Sequence, residues 1–369
     1  MNIEKVSMHH VRMQLRAPFE TSFGSIDTRD CIILELHAGG LVAFGECAAD
    51  RDPLYSYENV GTAWHILKDY LIPVVLDADI QDAADFHSCV AYVRGHNMAK
   101  AGLEMALWDL WGKRDGLSLR EMLGGQFEKV DVGVSIGIKS SPQALIGVAE
   151  EYVELGYKRV KLKIKPGRDV KEVQLVRSKF PHLMLQVDAN SAYTLDNMNT
   201  LKPLDDLDLL LIEQPLAEDD LWDHSKMQAE FRTAICLDES IHTPLHARQA
   251  LEMQACRVIN IKPGRVGGLS QGVAIHDICK AQDIPVWCGG MLETNVGRAS
   301  NLAIASLPGF TLPGDISASD RYYHEDITVQ QFTLNADSTI NVPSAPGLGV
   351  DIDLDALSRA TLQSLTLPT

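Results

Sequence analysis

Five ionisable residues recur along this chain at nearly one spacing. They are Lys163, Asp188, Glu213, Asp238 and Lys262, separated by 25, 25, 25 and 24 residues. Each lies at or near the end of a short apolar run: 160–164, 183–188, 209–213, 234–238 and 258–262. Three carboxylates brought together repel one another strongly unless a cation sits between them. Oxygen ligands without Cys or His suit Mg²⁺ or Mn²⁺. A single acid of this kind reads better as a helix cap or a surface residue; three on one period do not. Lys161 and Lys163, two apart on a strand, point to the same side. Adjacent ammonium groups disfavour each other's charged form, so the pair predicts a lowered lysine pKa and a general base. Lys262 falls on the opposite wall, and Arg265 adds positive charge beside it. Together these parts suit one reaction class. A metal grips a substrate carboxylate, one lysine removes the proton on the adjacent carbon, and the resulting enediolate is stabilised electrostatically. The second lysine can return a proton on the other face.

Residues at this spacing need a repeating scaffold. From about residue 130, short apolar runs alternate with helical stretches, the mark of βα units. Beyond the five runs above there are three more, at 132–136, 285–288 and 310–313. Eight strands in about 185 residues fit a (β/α)8-type barrel, whose chemistry sits at the C-terminal ends of its strands. An open doubly wound sheet would want a glycine-rich phosphate loop after its first strand, and Gly137-Ile138-Lys139-Ser140-Ser141 is not one. Residues 1–50 read as strands, with a hairpin about Ala38-Gly39-Gly40. Residues 57–124 read as helical, best between Ala101 and Lys113. Strands then helices predict a compact α+β domain ahead of the barrel.

Composition narrows the function classes. The chain has 369 residues and a formal net charge of −17, which argues against a nucleic-acid binder and against docking on an anionic membrane. No apolar run approaches membrane-spanning length, and the N-terminal segment lacks the apolar stretch of a signal peptide. Seven cysteines occur without a CxxC, so neither a disulfide framework nor a cysteine zinc site is expected, and a cytoplasmic location is. Of the twelve histidines, His9-His10, His96 and His324 are dispersed, without ligand spacing among them, and are read as structural or surface residues.

The ordered motifs resemble the enolase superfamily, whose lysine base and Mg²⁺ are a known pattern. Lys-x-Lys on the second strand and Lys on the sixth are most similar to its muconate-lactonising subgroup. Within that subgroup the chain resembles the o-succinylbenzoate synthase / N-acylamino acid racemase family. The likeness is carried by Ala17-Pro18-Phe19-Glu20-Thr21-Ser22-Phe23-Gly24, Lys161-Leu162-Lys163-Ile164, Gln186-Val187-Asp188-Ala189-Asn190 and Leu211-Ile212-Glu213-Gln214-Pro215. It continues through Cys236-Leu237-Asp238-Glu239-Ser240, Asn260-Ile261-Lys262-Pro263-Gly264-Arg265, Trp287-Cys288-Gly289-Gly290-Met291 and Leu312-Pro313-Gly314-Asp315.

The resemblance implies an α/β fold: a (β/α)7β barrel over residues 129–318, an N-terminal α+β capping domain over 1–128, and a C-terminal segment, 319–369, packing back on the cap. It implies Mg²⁺ on Asp188, Glu213 and Asp238, with Mn²⁺ or another divalent cation as substitute. Lys163 and Lys262 would be the acid/base pair, Lys161 a neighbour lowering their pKa, and Asn190, Glu239 and Arg265 supporting residues. The loop from Phe19 to Ile26 and the one about Tyr55 would close over a small carboxylate substrate. Phe19, Ser22, Phe23, Tyr55, Ser135, Gly290, Met291 and Asp315 would line its pocket. Asp315-Ile316-Ser317 is not the Asp-x-Asp of dipeptide epimerases, and the seventh strand carries no histidine base. Two activities then follow: syn-dehydration of 2-succinyl-6-hydroxy-2,4-cyclohexadiene-1-carboxylate to o-succinylbenzoate, a menaquinone precursor, and racemisation of N-succinyl or other N-acyl amino acids. Arg265 is compatible with both. A muconate-type cycloisomerase is the third reading. A symmetric homo-oligomer is expected.

Overall fold

A computed structural model describes residues 2–368. In chain order the strands are β1 (Lys5–Thr21), β2 (Gly24–Ala38), β3 (Leu41–Cys47), β4 (Lys129–Asp131), β5 (Val134–Ile136), β6 (Arg159–Lys163), β7 (Met184–Asp188), β8 (Ile212–Glu213), β9 (Ile235–Leu237), β10 (Val258–Ile261), β11 (Val286–Cys288), β12 (Thr339–Asn341) and β13 (Thr361–Leu367).

Strands β5 to β11 form one parallel sheet in sequential order, with helices between them. Each strand is flanked by apolar residues because both faces are covered, inside by side chains and outside by helices. The eighth position is filled by residues 310–314, but through single bridges rather than a ladder: Phe310 to Val286 and Gly314 to Val132. Pro313 carries no N–H to donate, which keeps this segment from pairing continuously. The ring still closes: the Gly133 N–H donates to the Gly314 carbonyl at 2.8 Å, and the Asp315 N–H to that of Cys288 at 2.9 Å.

The cap is an antiparallel sheet in the order β13-β1-β2-β3, so the C-terminal strand does return to it. The hairpin about Gly39-Gly40 is present, both glycines at positive φ. Helix Asn97–Asp115 covers one face of the sheet and ends at Gly116, φ 71°. It approaches β3 so closely that a Cβ on Gly102 would stand 2.7 Å from the Cys47 nitrogen.

The expected loop from Phe19 to Ile26 is instead the far end of the β1–β2 ladder, with Phe19 opposite Ile26 and Thr21 opposite Gly24. Pro18 falls where the register shifts between Gln14 and Phe19, and the ladder resumes beyond it. Only Ser22 and Phe23 form the turn.

Two buried carboxylates dock the cap on the barrel. Glu46 of β3 accepts from the Thr294 hydroxyl at 2.7 Å and the Gly297 N–H at 3.0 Å, at the start of helix Asn295–Ala305. Glu104 accepts from the Leu269 N–H at 2.6 Å and the Ser270 N–H at 3.0 Å, at the start of helix Leu269–Lys280. The free N–H groups and positive dipole end of a helix favour an anion there. All seven cysteines are free thiols. No helix among the described residues is long and apolar enough to cross a membrane.

Candidate active site

The register of the barrel sheet gathers the spaced charges. Lys163 pairs with Asp188 across β6 and β7, and Asp188 with Glu213 across β7 and β8. Asp238 follows β9 and Lys262 follows β10, both at the same C-terminal ends. Alternation aims one side of β6 inward, so Arg159, Lys161 and Lys163 share the barrel interior. All three carboxylates are buried.

Each carboxylate meets a cationic side chain. The Lys161 ammonium lies 2.9 Å from Asp188, 2.8 Å from Glu213 and 2.7 Å from Asp315. Lys163 donates to Asp188 and to the Asn190 amide oxygen, both at 2.6 Å. Lys262 donates to Asp238 at 2.7 Å, and Arg265 also bonds Asp238. The Tyr55 hydroxyl joins them, 3.1 Å from both Asp238 and the Lys262 ammonium. The Asn190 amide donates to Glu239 at 2.8 Å, while the other Glu239 oxygen is buried without a partner.

These charges shift one another. Burial opposes ionisation of Asp188, but Lys161 and Lys163 outweigh it and hold its carboxyl far below the usual range. Burial likewise opposes ionisation of Asp238, and Lys262 and Arg265 outweigh it. Glu213 is pushed up to about 8 by burial and by Asp188, with Lys161 only partly offsetting them. The pKa of Lys161, the residue expected to lower that of its lysine neighbour, is itself raised. Burial does act to lower it, but Asp188, Asp315 and Glu213 surround the ammonium and hold its pKa well above the ordinary value. Lys262 is raised in the same way by Asp238, against burial. The expectation weighed lysine against lysine and left out the carboxylates between them.

Among the described residues, no three His, Cys, Asp or Glu side chains are gathered closely enough to hold a metal ion as they stand. The chemistry of the donor set nevertheless fits a hard divalent cation. Three buried oxygen donors lie on neighbouring strands, and Glu213 resists ionisation because it is buried and lies beside Asp188. The ammonium of Lys161 supplies the positive charge between Asp188 and Glu213.

A cavity of about 120 Å³ opens between this cluster and the cap. Of the expected site residues, Phe19, Phe23, Tyr55, Lys163, Asn190, Lys262, Gly290 and Met291 line it, with Ile26 and Leu54 adding apolar wall. Ser22, Ser135 and Asp315 are not on its wall. The Ser22 hydroxyl donates to the Asn190 carbonyl at 3.1 Å, tying the hairpin turn to the end of β7. The Asp315 carboxylate is held instead between the Arg159 guanidinium at 2.5 Å and the Lys161 ammonium at 2.7 Å. Arg159 was missed. Its signal was available: it lies two residues before Lys161, on the same face of the same strand.

Two family models match the chain: "Mandelate racemase / muconate lactonizing enzyme, N-terminal domain" over residues 3–124 and "Enolase C-terminal domain-like" over residues 144–356. The chain belongs to the enolase superfamily. Among curated members, an o-succinylbenzoate synthase of Geobacillus stearothermophilus is 48% identical over 98% of this chain and 96% of its own length. An N-succinylamino acid racemase of Thermus thermophilus is 46% identical over 98% of each chain. A crystal structure of an enolase-superfamily member from Listeria innocua superposes with a TM-score of 0.95, at 40% identity over 99% of both chains. This superfamily member is thus an enzyme on a capped barrel, and enzymes of the superfamily typically use a divalent metal.

Proposed function

We propose that this protein is a Mg²⁺-dependent o-succinylbenzoate synthase of menaquinone biosynthesis that also racemises N-succinylamino acids. The observation that carries the reading is the entry of two lysines, Lys163 and Lys262, into one cavity beside three buried carboxylates. Relatives at this level of identity bear both names. The assignment takes residues 1–128 and 319–369 as cap and 129–318 as barrel.

Asp188, Glu213 and Asp238 would hold the metal, which when bound supplies positive charge to the substrate carboxylate and to the enediolate formed from it. Lys161 adds a fixed positive charge beside the same carboxylates. In the dehydration, Lys163 takes the proton from the carbon bearing the carboxylate and delivers it to the departing hydroxyl, so that water leaves from one face. Lys262 remains charged opposite and stabilises the anion electrostatically. In the racemisation, each lysine takes the α-proton from its own face and the other returns one. Phe19, Phe23, Ile26 and Leu54 exclude water and accept apolar parts of the substrate.

The test is an assay of purified protein with Mg²⁺ on both substrates. Dehydration and racemisation are expected, each lost in Lys163→Ala. Turnover of the N-succinylamino acid alone would make the protein a dedicated racemase. Turnover of neither, with muconate lactonised, would replace the proposal by the cycloisomerase reading.

A further inference from the structure

Gly289 follows β11 at the same strand ends as the charged cluster. Its N–H donates to the Ile261 carbonyl at 3.1 Å, which places it beside Lys262. Its φ is not in the left-handed region that demands glycine. Only the space at its α-carbon is special. A Cβ there would stand 2.5 Å from Cε of Lys262, and 2.3 and 2.6 Å from the amide oxygen and nitrogen of Asn260. Asn260 cannot easily give way, because its amide donates to Glu213 at 2.7 Å and its residue is fully buried. The Tyr55 ring centroid lies 4.5 Å from the Lys262 ammonium. The lysine stem therefore passes the space of a missing side chain at Cε and meets an aromatic ring at its ammonium. Lys163 is held at its tip by Asp188 and Asn190.

We propose that Gly289 is a positioning residue that reserves the path of the Lys262 side chain, so that filling it disables one face of the substrate and spares the other. The inference rests on the proposed function, in which the two lysines serve opposite faces. A methyl group at Gly289 would deflect the Lys262 stem by a distance that matters to proton transfer, where a misplacement of about 1 Å can cost about 100-fold. Lys163, one full barrel wall away, would be unaffected.

The experiment follows loss of the α-proton in D₂O with Mg²⁺, by proton NMR, for N-succinyl-L- and N-succinyl-D-amino acid separately. Lys163→Ala and Lys262→Ala first establish which enantiomer each lysine deprotonates. In Gly289→Ala, exchange of the Lys262 enantiomer is expected to fall at least tenfold, and that of the Lys163 enantiomer less than twofold. A general structural defect would lower both equally, and that result, or no loss from either, would overturn the proposal. In the Lys262→Met background, Gly289→Ala is expected to add no further loss; an added loss would also count against it. Should Gly289→Ala fail to fold, Asn260→Ser/Gly289→Ala is compared with Asn260→Ser alone. The smaller serine vacates the two contacts with Asn260 and leaves the one with Lys262, so the same enantiomer-selective loss is expected. If the unmodified protein exchanges neither enantiomer, the racemisation in the proposed function fails and takes this inference with it. A wild type that exchanges both, beside a Gly289→Ala that loses both alike, refutes the inference alone.

Discussion

Two sets of buried carboxylates lie in this molecule, and their partners differ in kind. At the barrel mouth, Asp188 and Asp238 are held by ammonium and guanidinium groups on flexible stems. At the seam between cap and barrel, Glu46 and Glu104 are held mainly by backbone N–H groups and hydroxyls at two helix starts. The N–H and hydroxyl groups of helix termini are fixed in place and do not titrate near neutral pH, so the seam is a joint. Side-chain cations can move, yield to a metal or hand over a proton, so the mouth is a place for chemistry. Burial alone would not have separated the two sets, since all four acids are almost wholly enclosed.

The contrast breaks most visibly if the mouth is disarmed. Lys163→Ala is expected to lower kcat by about a thousand-fold, within the usual range for a lost acid/base group, while thermal unfolding shows the fold intact. An unchanged kcat would remove Lys163 from the mechanism.

The seam should respond to pH instead. Burial and Glu293 push Glu46 up to about 7, above the ordinary 4.5. A raised acid contributes stability that is fully present below about 4.5 and lost as pH rises through about 7, because the folded state then binds more protons than the unfolded one. The loss attributable to Glu46 is about 3 kcal/mol, taken from the shift of its pKa. Denaturant unfolding between pH 4.5 and 8 should show it, and Glu46→Gln should flatten the slope. A slope unaltered by that change would sink the assignment.

Glu104→Ala strips the acceptor from the Leu269 and Ser270 amides and should cost about 2 kcal/mol, the range for buried donors left unpaired. The denaturant midpoint would report it, with kcat per folded molecule nearly unchanged. The smallest effect belongs to the link between the two regions. Ser22→Ala removes one hydrogen bond to the Asn190 carbonyl, worth about 1 kcal/mol, and should raise KM several-fold with little change in kcat. A fall in kcat alone would place Ser22 in the chemistry instead.

The legible part of the molecule was the part with a period. Lys163, Asp188, Glu213, Asp238 and Lys262 announced both the barrel and the cluster, because one βα unit separates each from the next. The eighth strand was legible only as an apolar run, since Pro313 breaks its ladder into bridges. The hairpin end at Phe19–Ile26 was hidden because a register shift separates it from the rest of the ladder. Glu46 and Glu104 carry no local signal at all. Their partners lie 248 and 165 residues away, and only the packed fold brings them together. Lys161 shows the same limit in charge: its pKa is set by three acids from distant strands, not by the lysine beside it.

The turn that covers the cavity has a mechanical consequence. Ser22 and Phe23 are the tip of a two-stranded beam rooted in the cap sheet, not the crown of a slack loop. A beam opens by flexing at its weakest section, here the register shift before Phe19, and its tip then swings as a unit. Amide exchange from Phe19 to Ile26 should follow that of the sheet behind it, and fast, independent exchange would contradict the picture. Changes made at the root of the beam would then be felt at the substrate, while Phe23, on the cavity wall, could be exchanged to alter fit with the Ser22 bond to the barrel left in place.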